Sequence, residues 1–100
     1  MKYDLETRTT KFAKTVIRLC KELSRNPIND RLVGQLVGAS GSVGANYREA
    51  NDALGKKDFI QRLKISRREA KESHHWLEFV WSLYLGYWLF SKIFHEVSRI

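Results

Sequence analysis

Residues 41–50, with the sequence GSVGANYREA, are the most informative stretch of this chain of 100 residues. The stretch has a helical pattern, yet glycine recurs in and before it, at positions 34, 38, 41 and 44. Each glycine inside a helix costs about 1 kcal/mol relative to alanine, so four of them cost about 3–4 kcal/mol. At about 100° per residue, Gly34, Gly38, Gly41 and Ala45 lie on one narrow stripe. We therefore predict that another helix packs closely against this stripe.

An apolar stripe runs beside the glycines on the same predicted helix and is expected to face the core. Its members are Val33, Leu36, Val37, Ser40, Val43 and Tyr47. Because the glycine stripe needs a close partner, Gly38→Leu is predicted to disrupt folding or assembly.

The pattern predicts an all-α fold: an antiparallel, up-down four-helix bundle in one domain of residues 1–100. The first helix is expected from about Asp4 to Leu23. Residues 24–28 should break it, because Pro27 cannot continue the hydrogen-bond ladder. Asn29 or Asp30 is predicted to cap a second helix, which runs to about residue 54. Gly55 would then provide a left-handed stop.

The third helix is predicted to start near Lys57 and to break at Gly86. It carries a seam with the 4-3-4-3 spacing of a helix packed at a small crossing angle. The seam consists of Phe59, Leu63, Ser66, Ala70, Ser73, Leu77, Val80 and Tyr84. A short fourth helix is expected to follow and to leave apolar surface that a partner subunit could cover. Its predicted inward positions are Leu89, Ile93, Val97 and Ile100.

Composition sets limits on the class of protein. The formal net charge is +7, which favours polyanionic partners such as RNA, DNA or acidic protein surfaces. A single cysteine, Cys20, excludes an internal disulfide framework. No apolar run reaches the ~18–20 residues of a membrane span, and the N-terminus lacks a signal pattern. We therefore predict a cytoplasmic protein with no membrane partner.

Basic residues are sorted onto two helix faces. The first helix carries a stripe opposite its apolar face, formed by Lys11, Lys14, Arg18, Lys21 and Arg25. Like charges at this spacing repel, so the stripe is predicted to bind nucleic-acid phosphates; a solvated outer face is the alternative. The third helix carries a second cluster, formed by Lys64, Arg67, Arg68 and Lys71. This cluster is assigned mainly to a subunit interface, with a possible assisting role in nucleic-acid binding.

Aromatic residues crowd the last quarter of the sequence. They are Trp76, Phe79, Trp81, Tyr84, Tyr87, Trp88, Phe90 and Phe94. Aromatic side chains can stack on unpaired bases, but the basic residues become sparse where these begin. A core and subunit-interface role is the preferred interpretation.

Catalytic and metal-binding patterns are weak, so we predict a non-enzymatic protein without cofactor or metal. His74 and His75 are adjacent and would point about 100° apart on a helix, which prevents joint chelation. Cys20 is interpreted as a small core residue. Asn46, Arg48 and Glu49 are interpreted as structural; Glu49 is expected to pair with a basic residue across the bundle or to cap a neighbouring element.

The run SVGANYREA, with Asp58-Phe59-Ile60, Glu69-Ala70 and Trp76-Leu77-Glu78, resembles a bacterial family of helical bundles, the 23S rRNA intervening-sequence proteins. This family includes the accessory variability determinant proteins of diversity-generating retroelements. The resemblance extends from Phe12-Ala13 to about Glu78 and weakens after Leu83. It implies antiparallel helical bundles assembled into ring-like homopentamers, with nucleic-acid binding as the favoured role.

These observations predict a non-enzymatic, basic nucleic-acid-binding scaffold protein that forms a homo-oligomer. One alternative is an oligomeric adaptor that docks an acidic protein partner, such as a reverse transcriptase. A minor alternative is a ribonuclease of the HEPN type, because Arg68 and His74 resemble its Arg-x4-6-His motif.

Overall fold

The computed structural model describes residues 4–98, and all their side chains except those of residues 87–91, 93, 94 and 96–98. This part of the chain forms three α-helices and no strand. Helix α1 is Leu5–Cys20, α2 is Pro27–Asn51 and α3 is Lys56–Ser98. The prediction of an all-α fold is confirmed, but the described residues form three helices and not four.

Helix α1 begins where the sequence predicts. The carboxylate of Asp4 caps it, accepting hydrogen bonds from the Thr7 backbone N–H at 3.1 Å and from Thr7 Oγ1 at 2.7 Å. The helix ends at Cys20, three residues before the predicted end at Leu23. The N–H groups of Glu22 and Leu23 bond to carbonyls only three residues back, so the last turn tightens instead of continuing as α-helix.

Helix α2 begins earlier than predicted. Its N-cap is Asn26, whose side chain accepts from the Asn29 backbone N–H at 2.8 Å. Pro27 takes the first helical position, because its fixed φ suits a helix start and its missing N–H is not needed there. The prediction that Asn29 or Asp30 caps this helix is therefore wrong.

The connection between α2 and α3 also differs from the prediction. Helix α2 ends at Asn51, and no described glycine, Gly55 included, has a positive φ. The predicted left-handed stop is thus wrong. Instead, the Gly55 carbonyl accepts from the Phe59 N–H at 3.0 Å and contributes to the start of α3.

Helix α3 runs without interruption for 43 residues, through Gly86. The predicted break at this residue, and with it the separate fourth helix, is wrong. One glycine costs a helix only about 1 kcal/mol, and no proline follows it to interrupt the ladder. The inward positions predicted for Leu89, Ile93 and Val97 lie outside the described side chains, and Ile100 lies outside the described residues.

The core lies where the three helices meet. Val16 of α1, Leu36 of α2 and Val80 of α3 form a buried cluster, and Leu36 and Val80 are 0% exposed. Half-buried side chains pack around it: Leu19, Cys20, Leu23, Leu32, Val37, Trp76 and Leu77. The interpretation of Cys20 as a core residue is confirmed, and burial raises the pKa of its thiol.

The predicted seam of α3 is only partly covered. Ser66, Ser73 and Val80 are buried, as predicted, whereas Phe59 and Ala70 are exposed. Both α1 and α3 pack mainly against α2. Because α1 has only 16 residues and lies on α2, it leaves one side of the α3 seam open.

The glycine stripe of α2 faces solvent. Gly34, Gly38, Gly41 and Ala45 are exposed, and a Cβ added to any of these glycines would meet no atom within 4 Å. Close packing of a helix of the same chain against the stripe is therefore a wrong prediction for the described residues. The close approach occurs instead at Gly44, where an added Cβ would lie 2.9 Å from Thr9 Oγ1.

A buried hydroxyl joins α2 to α3 beside this crossing. Ser66 Oγ donates to the Val43 carbonyl at 2.7 Å, whereas Ser73 Oγ donates to the Glu69 carbonyl of its own helix. We expect Ser66→Ala to lower the free energy of unfolding by about 1 kcal/mol, measured by urea denaturation. Ser73→Ala is the matched control and should have a smaller effect, because it removes no bond between helices. Equal effects would show that the interhelical bond adds no stability.

Candidate nucleic-acid interface

The basic stripe predicted on α1 lies on the surface. Lys11, Lys14 and Arg18 are exposed, as are Lys21 and Arg25 just beyond the helix end. The first three lie roughly opposite Val16, since positions three to four residues apart share a helix face. No ion pair of the described residues involves these three cations. Their charges are therefore available to a ligand.

The structure adds a residue from α2 to this stripe. The side chains surround an open pocket of about 310 Å³ between the two helices, the first basic pocket. It is lined by Thr7, Thr10, Lys11, Lys14, Arg18 and Arg48. Four cations and two hydroxyl groups thus converge on one concavity, an arrangement that suits the oxygens of a phosphate.

Arg48 is held at this pocket by side chains of α1. Its Nη2 donates to Thr10 Oγ1 at 3.1 Å, and its Nη1 lies 3.6 Å from Glu6 Oε2. Asn51 Nδ2 donates to the other oxygen of Glu6 at 3.3 Å. The Arg48 side chain remains 52% exposed. The guanidinium is therefore oriented but still has donors that can reach a ligand.

Arg25, the last cation of the predicted stripe, has a partner of its own. Its Nε and Nη2 donate to the two carboxylate oxygens of Asp30 at 2.7 and 3.2 Å. This fork holds the pKa of Asp30 below its usual range and raises the pKa of Arg25. Arg25 thus contributes less free charge to the surface than Lys14 or Arg18.

The cluster predicted on α3 forms a second basic pocket, with a volume of about 360 Å³. It is lined by Gln61, Lys64, Ile65, Arg67, Arg68 and Lys71. None of its four cations takes part in an ion pair of the described residues. All six residues come from one helix, so the second pocket is a groove along α3.

Contacts with α2 place the two basic pockets at the same height of the bundle. Thr9 of α1 lies against Gly44, and Ser66 of α3 bonds to Val43, the neighbouring residue of α2. Each pocket lies within about two turns of its contact. One α2 segment therefore positions both clusters.

Two charged residues of the 41–50 stretch, Arg48 and Glu49, make contacts between helices. Glu49 Oε2 lies 2.7 Å from Arg62 Nη1 of α3, and Arg62 Nε lies 3.8 Å from Asp58. The predicted pairing of Glu49 with a basic residue across the bundle is confirmed. Asn46 donates to the Ser42 carbonyl of its own helix at 2.9 Å.

The aromatic residues divide between core and surface. Trp76 packs on the core, whereas Phe79 and Trp81 are 46% and 47% exposed. The rings of Trp81 and Tyr84 stack with centroids 5.6 Å apart. The side chains of Tyr87, Trp88, Phe90 and Phe94 lie outside the described ones.

His74 and His75 contact other groups of the same helix. His74 Nδ1 lies 3.7 Å from Glu78 Oε1, and the His75 ring meets Trp76 and Phe79 edge-on. Arg68 precedes His74 by six residues on this uninterrupted helix, so the two differ by about 9 Å in height and 120° in direction. This geometry separates the two residues of the HEPN-like motif.

Within residues 4–98, no group of three or more His, Cys, Asp or Glu side chains is arranged to hold a metal ion. Among the same residues, no helix combines the length and apolar character that a membrane span requires.

Sequence reasoning missed Arg48, Thr7 and Thr10 as members of the first basic pocket. Arg48 was interpreted as part of a structural motif, and the threonines carried no signal. Their position depends on how α1 lies on α2, which the spacing of residues within one helix does not encode.

Comparisons with known proteins agree with the helical architecture. No curated protein matches this chain. One similar solved structure is the crystal structure of a protein of unknown function from the S23 ribosomal protein family of Bacteroides thetaiotaomicron VPI-5482. Its sequence is 32% identical to this chain, and the two structures superpose with a TM-score of 0.65. The match covers 75% of this chain and 69% of that chain. A family model described as 23S rRNA-intervening sequence protein matches residues 1–95. The chain therefore belongs to the 23S rRNA-intervening sequence protein family.

Proposed function

We propose that this protein is a non-enzymatic, oligomeric scaffold that binds the phosphate backbone of RNA or DNA through the first basic pocket. The observation that supports this proposal is the convergence of Lys11, Lys14, Arg18 and Arg48 from two helices on one open pocket. Three of these cations have no acidic partner among the described residues, and the fourth is held in place by Thr10 and Glu6.

The energetic argument is counterion release. Each phosphate that a lysine or arginine neutralises frees condensed cations, so affinity falls as salt rises, with a slope of about −0.7 to −0.9 per contact in a log–log plot. From Lys11 to Arg18 the basic stripe rises about 10 Å along α1, and Lys21 and Arg25 follow beyond the helix end. This arrangement matches successive phosphates of a strand, so the stripe favours a backbone track over a mononucleotide site.

The names of the family and of the similar structure, which refer to 23S rRNA and to a ribosomal protein family, make RNA the first ligand to test. The family resemblance also supports a homo-oligomer, with a ring-like homopentamer as the assembly to test. In such a ring the second basic pocket would assist binding or contact a neighbouring subunit.

The second candidate function is that of an oligomeric adaptor. In this function the second basic pocket would bind an acidic protein partner, such as a reverse transcriptase. Ile65 lies among its four cations, and an apolar centre with a charged rim suits a protein surface better than a phosphate strand.

The test is fluorescence anisotropy of a labelled structured RNA with the purified protein, at salt concentrations from about 50 to 200 mM. We expect binding that weakens with salt at a slope of about −3, consistent with three to four phosphate contacts. Unlabelled RNA should compete. Absence of binding at the lowest salt, or binding that is indifferent to salt, would refute the proposed function.

A further inference from the structure

An apolar groove lies between the C-terminal half of α1 and the N-terminal half of α2. Its volume is about 550 Å³, larger than that of either basic pocket. The apolar part of its wall consists of Ile17, Cys20, Leu23, Val33, Gly34 and Val37. Ile17 is 40% exposed, so the groove opens to solvent and apolar surface is left uncovered.

The chain exposes more surface than a compact monomer of its mass. Its accessible area is 7965 Å², whereas a monomer of 11.7 kDa is expected to expose about 5,900 Å². The surplus of about 2,000 Å² exceeds the ~800 Å² that each partner buries in a standard protein interface. A surplus of this size is large enough to hold a subunit interface.

The C-terminal part of α3 extends past the other helices. We call residues 81–98 the arm; its first residues run beside the start of α2 and its last residues continue beyond it. Val43 lies level with Ser66 and Leu36 with Val80, so Pro27, the start of α2, lies level with roughly residues 82–89 in this antiparallel pair. About ten residues of the arm, or about 15 Å, therefore continue beyond the bundle. The long dimension of the molecule, 67 Å, corresponds to the length of a straight 43-residue helix.

The base of the arm carries uncovered apolar side chains. Trp81 and Leu85 are 47% and 39% exposed and lie one turn apart on the same face. Tyr84 stacks on Trp81 and widens this surface. An apolar ridge at i and i+4 is what a groove between two helices accepts.

We propose that the arm of one chain packs, through its Trp81 and Leu85 face, into the apolar groove between α1 and α2 of a second copy. No residue of α3 lines this groove, and α3 continues unbroken past Val80, so the arm of the same chain would have to break and fold back to enter it. Exchange between copies covers both apolar surfaces and accounts for the surplus area. The proposal does not rest on nucleic-acid binding, and its test contains no nucleic acid.

Cys20 provides a specific probe, because it is the only cysteine in the sequence and lies in the groove wall. Leu85→Cys adds a second thiol to the arm. Under mild oxidation we expect disulfide-linked dimers or larger species on non-reducing gels, and these should decrease strongly when Cys20→Ser is combined with it. Gln61→Cys, exposed on the first half of α3, is the matched control and should not link to Cys20. An internal disulfide within one chain, or no link to Cys20, would overturn the proposal.

Light scattering gives an independent test that needs no new cysteine. We expect the wild-type mass to be a multiple of 11.7 kDa and to fall to one chain in Trp81→Lys/Leu85→Lys, with unchanged helicity by circular dichroism. Thr15→Lys/Gln35→Lys adds the same charge at exposed positions outside the groove and both basic pockets, and should keep the wild-type mass. A monomeric wild type, or a double arm variant that keeps the oligomer mass, would overturn the proposal.

Discussion

Charge reversal at Lys14 and Arg18 is expected to weaken RNA binding about 25- to 60-fold at 0.1 M salt, because two phosphate contacts are lost. Both residues are exposed on α1 and line the first basic pocket. The slope of affinity against salt should become shallower by about 1.4 to 1.8 units. Helicity should not change, since neither side chain contacts the core. Fluorescence anisotropy over a salt series measures both effects.

The matched control is Arg31→Glu with Lys57→Glu. It changes the net charge by the same amount, at exposed positions outside both basic pockets. This variant should lose much less affinity, because only the long-range field of the protein changes. Equal losses in the two variants would mean that net charge and not the pocket governs binding. Unchanged binding in Lys14→Glu/Arg18→Glu would move the site away from α1.

The second large effect is expected at Gly44, where α1 crosses α2. Gly44→Leu should lower the free energy of unfolding by about 2–3 kcal/mol, since overpacking at a tight contact forces the helices apart. A Cβ there would lie 2.9 Å from Thr9 Oγ1 and 3.2 Å from Thr9 Cβ, which leaves no room for a larger side chain. Urea denaturation followed by circular dichroism measures the loss.

Gly38→Leu is the control, because its added Cβ would meet nothing within 4 Å. In the single chain this change should keep or raise the free energy of unfolding by up to about 1 kcal/mol, since leucine favours the helix more than glycine. A large loss of stability would show that a helix of the same chain packs on the glycine stripe after all. A normal stability with a changed oligomer mass would assign the stripe to a subunit contact.

The local features of the sequence predicted the helices well. The apolar positions of α2 recur with the helical period, and Leu36, Ser40 and Val43 are buried as expected. The cation stripe of α1 is exposed for the same reason. The pairing of Glu49 with a basic residue was one of two roles expected for this side chain, and Arg62 of α3 provides the partner.

The helix boundaries at Pro27 and Gly86 were harder to predict, because each residue is compatible with two different backbone structures. Pro27 favours a helix start as much as it prevents continuation, and the sequence does not show which effect applies. At Gly86 the cost of one glycine is small compared with the hydrogen bonds of a continuing helix. The predicted fourth helix failed for this reason.

The sequence by itself determined the all-helical class, the core-facing positions of α2 and the sorting of charge onto separate helix faces. These properties follow from the period of the helix, which relates residues only three or four positions apart. The tertiary structure decided which surfaces meet: that Gly44 and not Gly38 is the close contact, and that Arg48 joins Lys11 and Lys14 at one pocket. The physical reason is that the register of one helix on another depends on how whole surfaces pack, over sequence distances of about 35 residues here.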